Sequence, residues 1–213
     1  PIFSPDEAMT YYRLIDENDS IIGYWFGVNA ESLDGWAQCY QLYNVSQVGI
    51  EGLLMIFQSK YDLNNDNNSS LLAYVTPMAA DVCIIGGTSG NYQYGPGPDL
   101  SNAYTNVSIP INDIDTVNLF TYKELNQTIG VTNEFCIVTD FSDLRTKGDT
   151  ANLLCDDSGD GQGLHYTQYA KSPLGTYYWV STNFSTSGVL DVNITLFAVV
   201  DLDYVNINSN SYF

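Results

Sequence analysis

Val189-Leu190-Asp191-Val192-Asn193-Ile194-Thr195-Leu196-Phe197-Ala198-Val199-Val200 decides the fold class. Leu190, Val192, Ile194, Leu196, Ala198 and Val200 fall on one side of an extended chain, with Asp191, Asn193 and Thr195 on the other. Successive side chains of a strand point to opposite faces, so this alternation predicts a strand with one dry and one wet face. Outward from it, similar short runs rich in Val, Ile, Tyr, Phe, Trp and Thr are separated by Gly, Pro, Asn and Asp. They predict strands over 21–28, 36–43, 48–57, 71–75, 82–85, 107–111, 117–122, 135–139, 163–169, 176–182 and 189–200. Helical periodicity is nearly absent. The expected fold is therefore all-β, a two-sheet antiparallel sandwich of jelly-roll type rather than a βαβ fold.

The two ends read differently from the body. Ser4-Pro5-Asp6-Glu7 combines an N-cap, a proline at the first helical position and an acid three residues after the cap. Each satisfies free N–H groups or suits the positive helix end, so a short helix to about Ile15 is expected within an amino-terminal segment 1–20. A single sandwich domain is expected over 21–202, with residues 86–98, rich in Gly, Tyr and Pro, as a long binding loop. Over 203–213, Tyr204 and Asn206 alternate with Val205 and Ile207, a strand-like tail able to pair internally or with a neighbour.

The chain has 213 residues, with 25 acidic side chains against 6 basic ones and a net charge of −19. Such a surface repels phosphate backbones and anionic lipid heads, which argues against nucleic-acid and acidic-membrane partners. No apolar run approaches the roughly 20 residues of a membrane helix. The chain starts at Pro1 with no basic n-region and apolar h-region, as expected of a mature protein whose leader has been removed, and equally of an expression boundary.

Cys39, Cys83, Cys136 and Cys155 have no CxxC spacing, which argues against zinc and thioredoxin-like chemistry and allows two disulfides. Four cysteines admit three connectivities; Cys136 with Cys155, flanking a polar connection, is the first pairing to expect. Asn-x-Ser/Thr occurs at Asn18, Asn44, Asn67, Asn68, Asn106, Asn126, Asn183 and Asn193, eight times where the composition yields roughly three by chance. Disulfides and covalent N-linked glycans together point to a secreted or cell-surface protein.

Asp156-Asp157-Ser158-Gly159-Asp160-Gly161 places oxygen donors at Asp156, Ser158 and Asp160 ahead of a glycine, as a calcium loop does. Alternate residues of a tight loop point inward, and a hard cation needs six to eight oxygens. The usual acid at position twelve is replaced by Thr167. Asp62, Asn64 and Asp66 repeat the spacing with Asn67 in the glycine place. Ordinary acidic turns use the same residues for backbone reasons alone.

Catalysis is poorly served. His165 is the single histidine and sits on an alternating strand, no Gly-x-Ser-x-Gly elbow occurs, and Gly86-Gly87-Thr88-Ser89-Gly90 lacks the lysine of a phosphate loop. Glu51 and Glu134 are the acids to weigh for glycoside hydrolysis. The chain is accordingly read as no enzyme. Trp36, Tyr177 and Trp179, with Tyr92, Tyr94 and Tyr178, are candidates for a glycan platform on which sugar rings stack.

Gly175-Thr176-Tyr177-Tyr178-Trp179, followed by the long strand 189–200, resembles the end of secreted jelly-roll modules in large surface proteins of Bacteroidota. That resemblance covers about the last third of the chain and implies an exported β-sandwich of structural or adhesive role; the four cysteines depart from it. The expected function is a structural subunit of a glycosylated extracellular fibre or filament, copies docking through Pro1-Ile2-Phe3 or the 203–213 tail. The alternative is a calcium-dependent carbohydrate-binding or adhesion module with polysaccharide as partner.

Overall fold

The computed structural model describes residues 9–10, 13–15, 21–24, 33–43, 45–88, 90–118, 120–156, 165–169, 178–181 and 194–207. Strands dominate them: β1 (Met9–Thr10), β2 (Arg13–Ile15), β3 (Ile21–Tyr24), β4 (Leu33–Gln41), β5 (Val45–Tyr61), β6 (Ser70–Thr88), β7 (Asn91–Pro98) and β8 (Thr105–Pro110). There follow β9 (Phe120–Val131), β10 (Glu134–Asp140), the one-and-a-half-turn helix α1 (Ser142–Lys147), β11 (Thr150–Leu153), β12 (Cys155–Asp156), β13 (His165–Tyr169), β14 (Tyr178–Ser181) and β15 (Leu196–Ile207). Two large sheets pack face to face, the all-β sandwich that the alternation predicts.

The second sheet is built on β5. Its residues Val48–Ile56 pair with β9 on one edge, while β15 and β11 lie end to end along the other. The junction is Thr195. Its hydroxyl donates to the Leu154 carbonyl at 2.7 Å, with Ile56 O a second acceptor at 3.1 Å, and its carbonyl accepts from Ile56 N–H. Ile194 and Leu196 are fully buried and Ala198 and Val200 pack on the same core, so the dry face holds wherever it is described. Thr195, expected on the wet face, is buried instead because the strand is interrupted there to join β11.

The first sheet closes on itself. β6 pairs with β10, β10 with β4, β4 with β13, β13 with β14, and β14 returns to β6. Five strands cannot alternate direction all the way round a circuit, so one pairing must be parallel. It is β14 with β6, the exception to the expected antiparallel order. β6 accommodates closure with a register break between Ala79 and Cys83, where Asp81 takes a left-handed φ of 60°. Its first half then pairs with β10 and its second with β14; the runs expected as separate strands 71–75 and 82–85 are one bent strand.

Two cores result. Trp36, Leu71, Ala73, Val75, Phe135 and Ile137 face the second sheet and meet Ile50, Leu53, Met55, Phe57, Ile129, Leu153 and Leu196 there. The alternate residues Ala37, Cys39, Cys136 and Val138 point the other way and join Cys83 and Trp179 in a smaller cluster lined by the closed circuit.

Several expectations are corrected. The helix expected to reach Ile15 is absent from its described residues, since β1 pairs with β12 and β2 with β3; strand pairing outweighs a capping signal on a short segment. Residues 86–98 form a hairpin, not a loop. Thr88 lies opposite Asn91, so the turn is two residues, with Gly90 at φ 87°; at Gly87, φ 97°, a Cβ would come within 2.3 Å of Asn91 O. Cys39 and Cys136, directly opposed on β4 and β10, form the disulfide, rather than Cys136 with Cys155. Cys83 is a free, buried thiol, its pKa pushed up to about 12 by burial. Of the strand-like tail 203–213, residues 203–207 are strand and continue β15, which regains β5 at Asn206 and Ile207 after a register break, and 208–213 lie outside the described residues.

Candidate functional site

Of the expected glycan platform, Trp36 and Trp179 are only 1% and 5% exposed, one in each core, so neither offers a face to solvent. Both lie on central strands, where a large apolar ring is worth most when buried. Tyr177 lies outside the described residues. Tyr92 and Tyr94 are exposed on β7, at the edge of the first sheet.

A different aromatic surface occupies the outer face of the second sheet. Three glycines pave it: Gly49 and Gly52 on β5, and Gly130 opposite Gly49 on β9. A Cβ on Gly52 would stand 2.4 Å from Tyr122 Cε2 and 2.7 Å from its hydroxyl, so the phenol lies directly on bare backbone. A Cβ on Gly49 would meet Tyr204 Cβ at 2.7 Å, and one on Gly130 would meet Tyr204 Cε1 at 3.2 Å. The Tyr204 ring therefore stretches from β15 across β5 to β9, carried by the extra residues that β15 inserts between Asp201 and Asn206. Both rings keep about half their surface in water, 51% for Tyr122 and 45% for Tyr204.

Carboxylates border these rings. Glu51 sits at the register break between Ile50 and Gly52, and Glu124 pairs with Gly52; both are exposed. Burial first, then the negative charges of Glu124 and Glu51, hold the Tyr122 phenol above its ordinary pKa, so it stays protonated and able to donate at neutral pH. Leu54, opposite Tyr122, and Phe197, opposite Leu54, complete an apolar strip.

Two hollows flank Lys60. One of about 320 Å³ is lined by Asp62, Asn65, Asn67 and Asn112, and one of about 390 Å³ by Asp113, Asp115 and Val117. Their polar groups are largely engaged. Lys60 Nζ donates to the Ile111 and Asn112 carbonyls at 2.9 and 3.0 Å. Asp115 accepts from Asn118 Nδ2 and from the Val117 and Asn118 amides, which hold its carboxyl below the ordinary range.

Among the expected calcium ligands, Asp62 accepts from the Asp66 and Asn67 amides and Asp66 accepts from Asn68, while Asn65 and Asn67 take left-handed φ angles of 53°. The Asp62 loop is thus closed by its own backbone donors. Asp156 belongs to β12, and Ser158 and Asp160 lie outside the described residues. Among the described residues, no three His, Cys, Asp or Glu side chains converge as metal ligands, and no helix is long and apolar enough to cross a membrane.

Asn67, Asn68, Asn106 and Asn126 are all exposed, on the β5–β6 loop, β8 and the irregular stretch of β9; Asn18, Asn44, Asn183 and Asn193 lie outside the described residues. Glycosidase treatment of native material is expected to lower its intact mass, and Asn106→Gln with Asn126→Gln to remove two of the steps. An unchanged mass in the native protein rules glycosylation out.

Neither protein-family models, nor characterised proteins, nor solved structures yield a match to this chain, and so none identifies a Bacteroidota surface module.

Proposed function

We propose that the chain is a structural subunit of a glycosylated extracellular fibre, in which an extended segment of one copy adds to the β9 edge of the next. The observation that carries this reading is the open rim of the second sheet. β9 pairs with β5 along one edge, and among the described residues no strand pairs with the other. An unpaired edge is a template for another chain, and proteins that stay monomeric blunt it with proline, lysine or bulges. β7 is blunted in this way by Pro96 and Pro98. The irregular stretch between Glu124 and Ile129 likewise breaks the far half of β9. The near half, Phe120–Glu124, runs in regular register; its one lysine, Lys123, lies 3.7 Å from Asp113, and its approach is apolar, with Val117 90% and Phe120 56% exposed. Strand addition would cover these side chains and satisfy the rim amides together. A disulfide joining two neighbouring strands of the first sheet and four exposed sequons fit an oxidising, extracellular setting.

Val117→Lys with Phe120→Lys places two charges on this rim without touching either core. Native protein is expected to form filaments in electron micrographs and to grow with concentration in sedimentation velocity, and the double variant to remain monomeric. Native protein that is monomeric at every concentration, or a double variant that assembles equally well, would overturn the reading.

A further inference from the structure

We infer that, of the two overlapping sequons Asn67-Asn68-Ser69 and Asn68-Ser69-Ser70, only Asn67 carries a glycan, whose first sugar seats in the hollow beside Lys60 and Tyr61. This assignment deepens the reading of a glycosylated surface and rests on it.

Asn67 and Asn68 are neighbours and both exposed, but the loop uses them differently. Asn68 is tied by its side chain, its amide and its carbonyl. Nδ2 donates to Asp66 Oδ2 at 2.7 Å and the backbone N–H to Asp66 Oδ1 at 3.2 Å, while the carbonyl accepts from Lys147 Nζ, which also donates to Asp143 Oδ2 at 3.0 Å. A sugar bonded to Asn68 Nδ2 would replace one hydrogen of that nitrogen and stand against the Asp66 carboxylate, at the contact that holds the loop on α1. Asn67 is anchored through its backbone: its N–H donates to Asp62 Oδ2 at 2.8 Å, and its φ of 53° is a conformation that asparagine tolerates. Its side chain lines the hollow and makes no hydrogen bond among the described residues.

The Ser69 hydroxyl points to the same asparagine independently. Ser69 is 1% exposed and its Oγ meets no hydrogen-bond partner among the described residues, although its carbonyl accepts from Ile111 N–H at 2.9 Å. Burying an unpaired hydroxyl forfeits its hydration, and alanine would fill the same place without that cost. The folded state therefore has no use for this oxygen. The unfolded chain does, because a hydroxyl two residues after an asparagine completes the acceptor motif, and for Ser69 that asparagine is Asn67. Transfer to the extended chain comes before the loop closes, so the hydroxyl is read first and buried afterwards. A chain modified at Asn68 would have to give up its Asp66 contact to close the loop; a chain modified at Asn67 gives up nothing.

The hollow of about 320 Å³ gives the first sugar its seat, and the covalent bond fixes which sugar that is. Tyr61, 57% exposed, lines it with an aromatic ring on which the apolar face of a pyranose packs. An ammonium has three hydrogens, and Lys60 Nζ places two of them on the Ile111 and Asn112 carbonyls, which leaves one for a sugar oxygen. A neutral sugar is not repelled by the Asp62 carboxylate beside it.

Enzymatic release of N-glycans from the native protein in heavy-oxygen water converts each modified asparagine to a labelled aspartate, which peptide mass spectrometry locates. Label is expected at Asn67 and absent from Asn68. Release from the folded protein is expected to be several-fold slower at Asn67 than at the exposed Asn106, with the difference gone after denaturation. Ser69→Ala is expected to lose the Asn67 label, and Ser70→Ala, which removes only the Asn68 sequon, to change nothing. Made in a host that adds no N-glycans, Ser69→Ala is expected to unfold at the parent's temperature or above. A lower midpoint would give the hydroxyl a structural duty and overturn the assignment. Label at Asn68, alone or beside Asn67, or at other sequons but at neither of these, overturns it too and leaves the glycosylated reading standing. Label nowhere overturns both. Equal release rates in the folded state take the sugar out of the hollow and overturn its seating there.

Discussion

Trp36→Ala is expected to destabilise the protein by about 3–5 kcal/mol, the cost of removing a large buried aromatic and leaving a cavity. Trp36 is one of the largest fully buried side chains and lies on β4, between β10 and β13. It faces residues of both sheets, so the void would open in the middle of the main core and not at its rim. Its backbone is also committed, because the Thr139 hydroxyl donates to the Trp36 carbonyl at 3.3 Å. Urea unfolding followed by tyrosine and tryptophan emission would give the difference directly. A surface platform residue would change stability by no more than about 0.5 kcal/mol. A loss below about 1 kcal/mol would therefore contradict the burial of Trp36 and return it to the list of ligand-facing aromatics.

The contrast between Trp36 and Tyr122 indicates which features of the chain can be read from its residues. Period-two alternation identifies strands and their dry faces well, as Ile194, Leu196, Ala198 and Val200 demonstrate. It cannot tell a strand with one wet face from a strand buried on both. On β4 and β10 the second face is covered by the curled-over circuit, so Trp36 and Ala37 are both inside and composition alone suggests a ligand platform where there is core. Thr195 fails for a related reason, since its burial depends on where β11 ends, about 40 residues earlier in the chain. Non-local pairing of this kind also hid the disulfide, because Cys39 and Cys136 meet only once β4 and β10 are in register.

The tyrosine surface did leave a signal. Gly49 and Gly52 interrupt the apolar run Val48–Phe57, and glycines in a strand otherwise rich in Leu and Ile report that something lies against the backbone. The run reveals that a ring is there but not which one, since Tyr122 and Tyr204 arrive from strands about 70 and 150 residues away. The β9 rim was legible only as the run 117–122; that its other edge is unpaired is a property of sheet order.

Replacing both Cys39 and Cys136 by alanine is expected to cost about 4–5 kcal/mol, the second large effect. The bridge closes a loop of 97 residues, and loop-closure entropy for about 100 residues amounts to about 4.7 kcal/mol in the chain-entropy account. The bond also sits inside the small cluster with Trp179, Cys83 and Val138, so its removal loosens packing there as well. Thermal or urea unfolding of the double variant against the parent, both under non-reducing conditions, measures the loss. Equal stability would mean that the β4–β10 pairing does not depend on its covalent tie. Cys83 separates structure from chemistry in this experiment: its thiol is held protonated by burial, so it is a poor nucleophile and should not exchange with the bridge while the fold is intact.

The pairing of β15 with β5 has a consequence for how the protein is made. Met55 finds its partner at Leu196, some 140 residues later. At 5–20 residues per second a ribosome needs roughly 7–28 s to bridge that gap. Throughout that interval the central strand of the second sheet has only β9 and β11 to shelter it, and its β15 edge stays sticky. Completion of the sandwich thus waits until β15 has been made, long after its central strand.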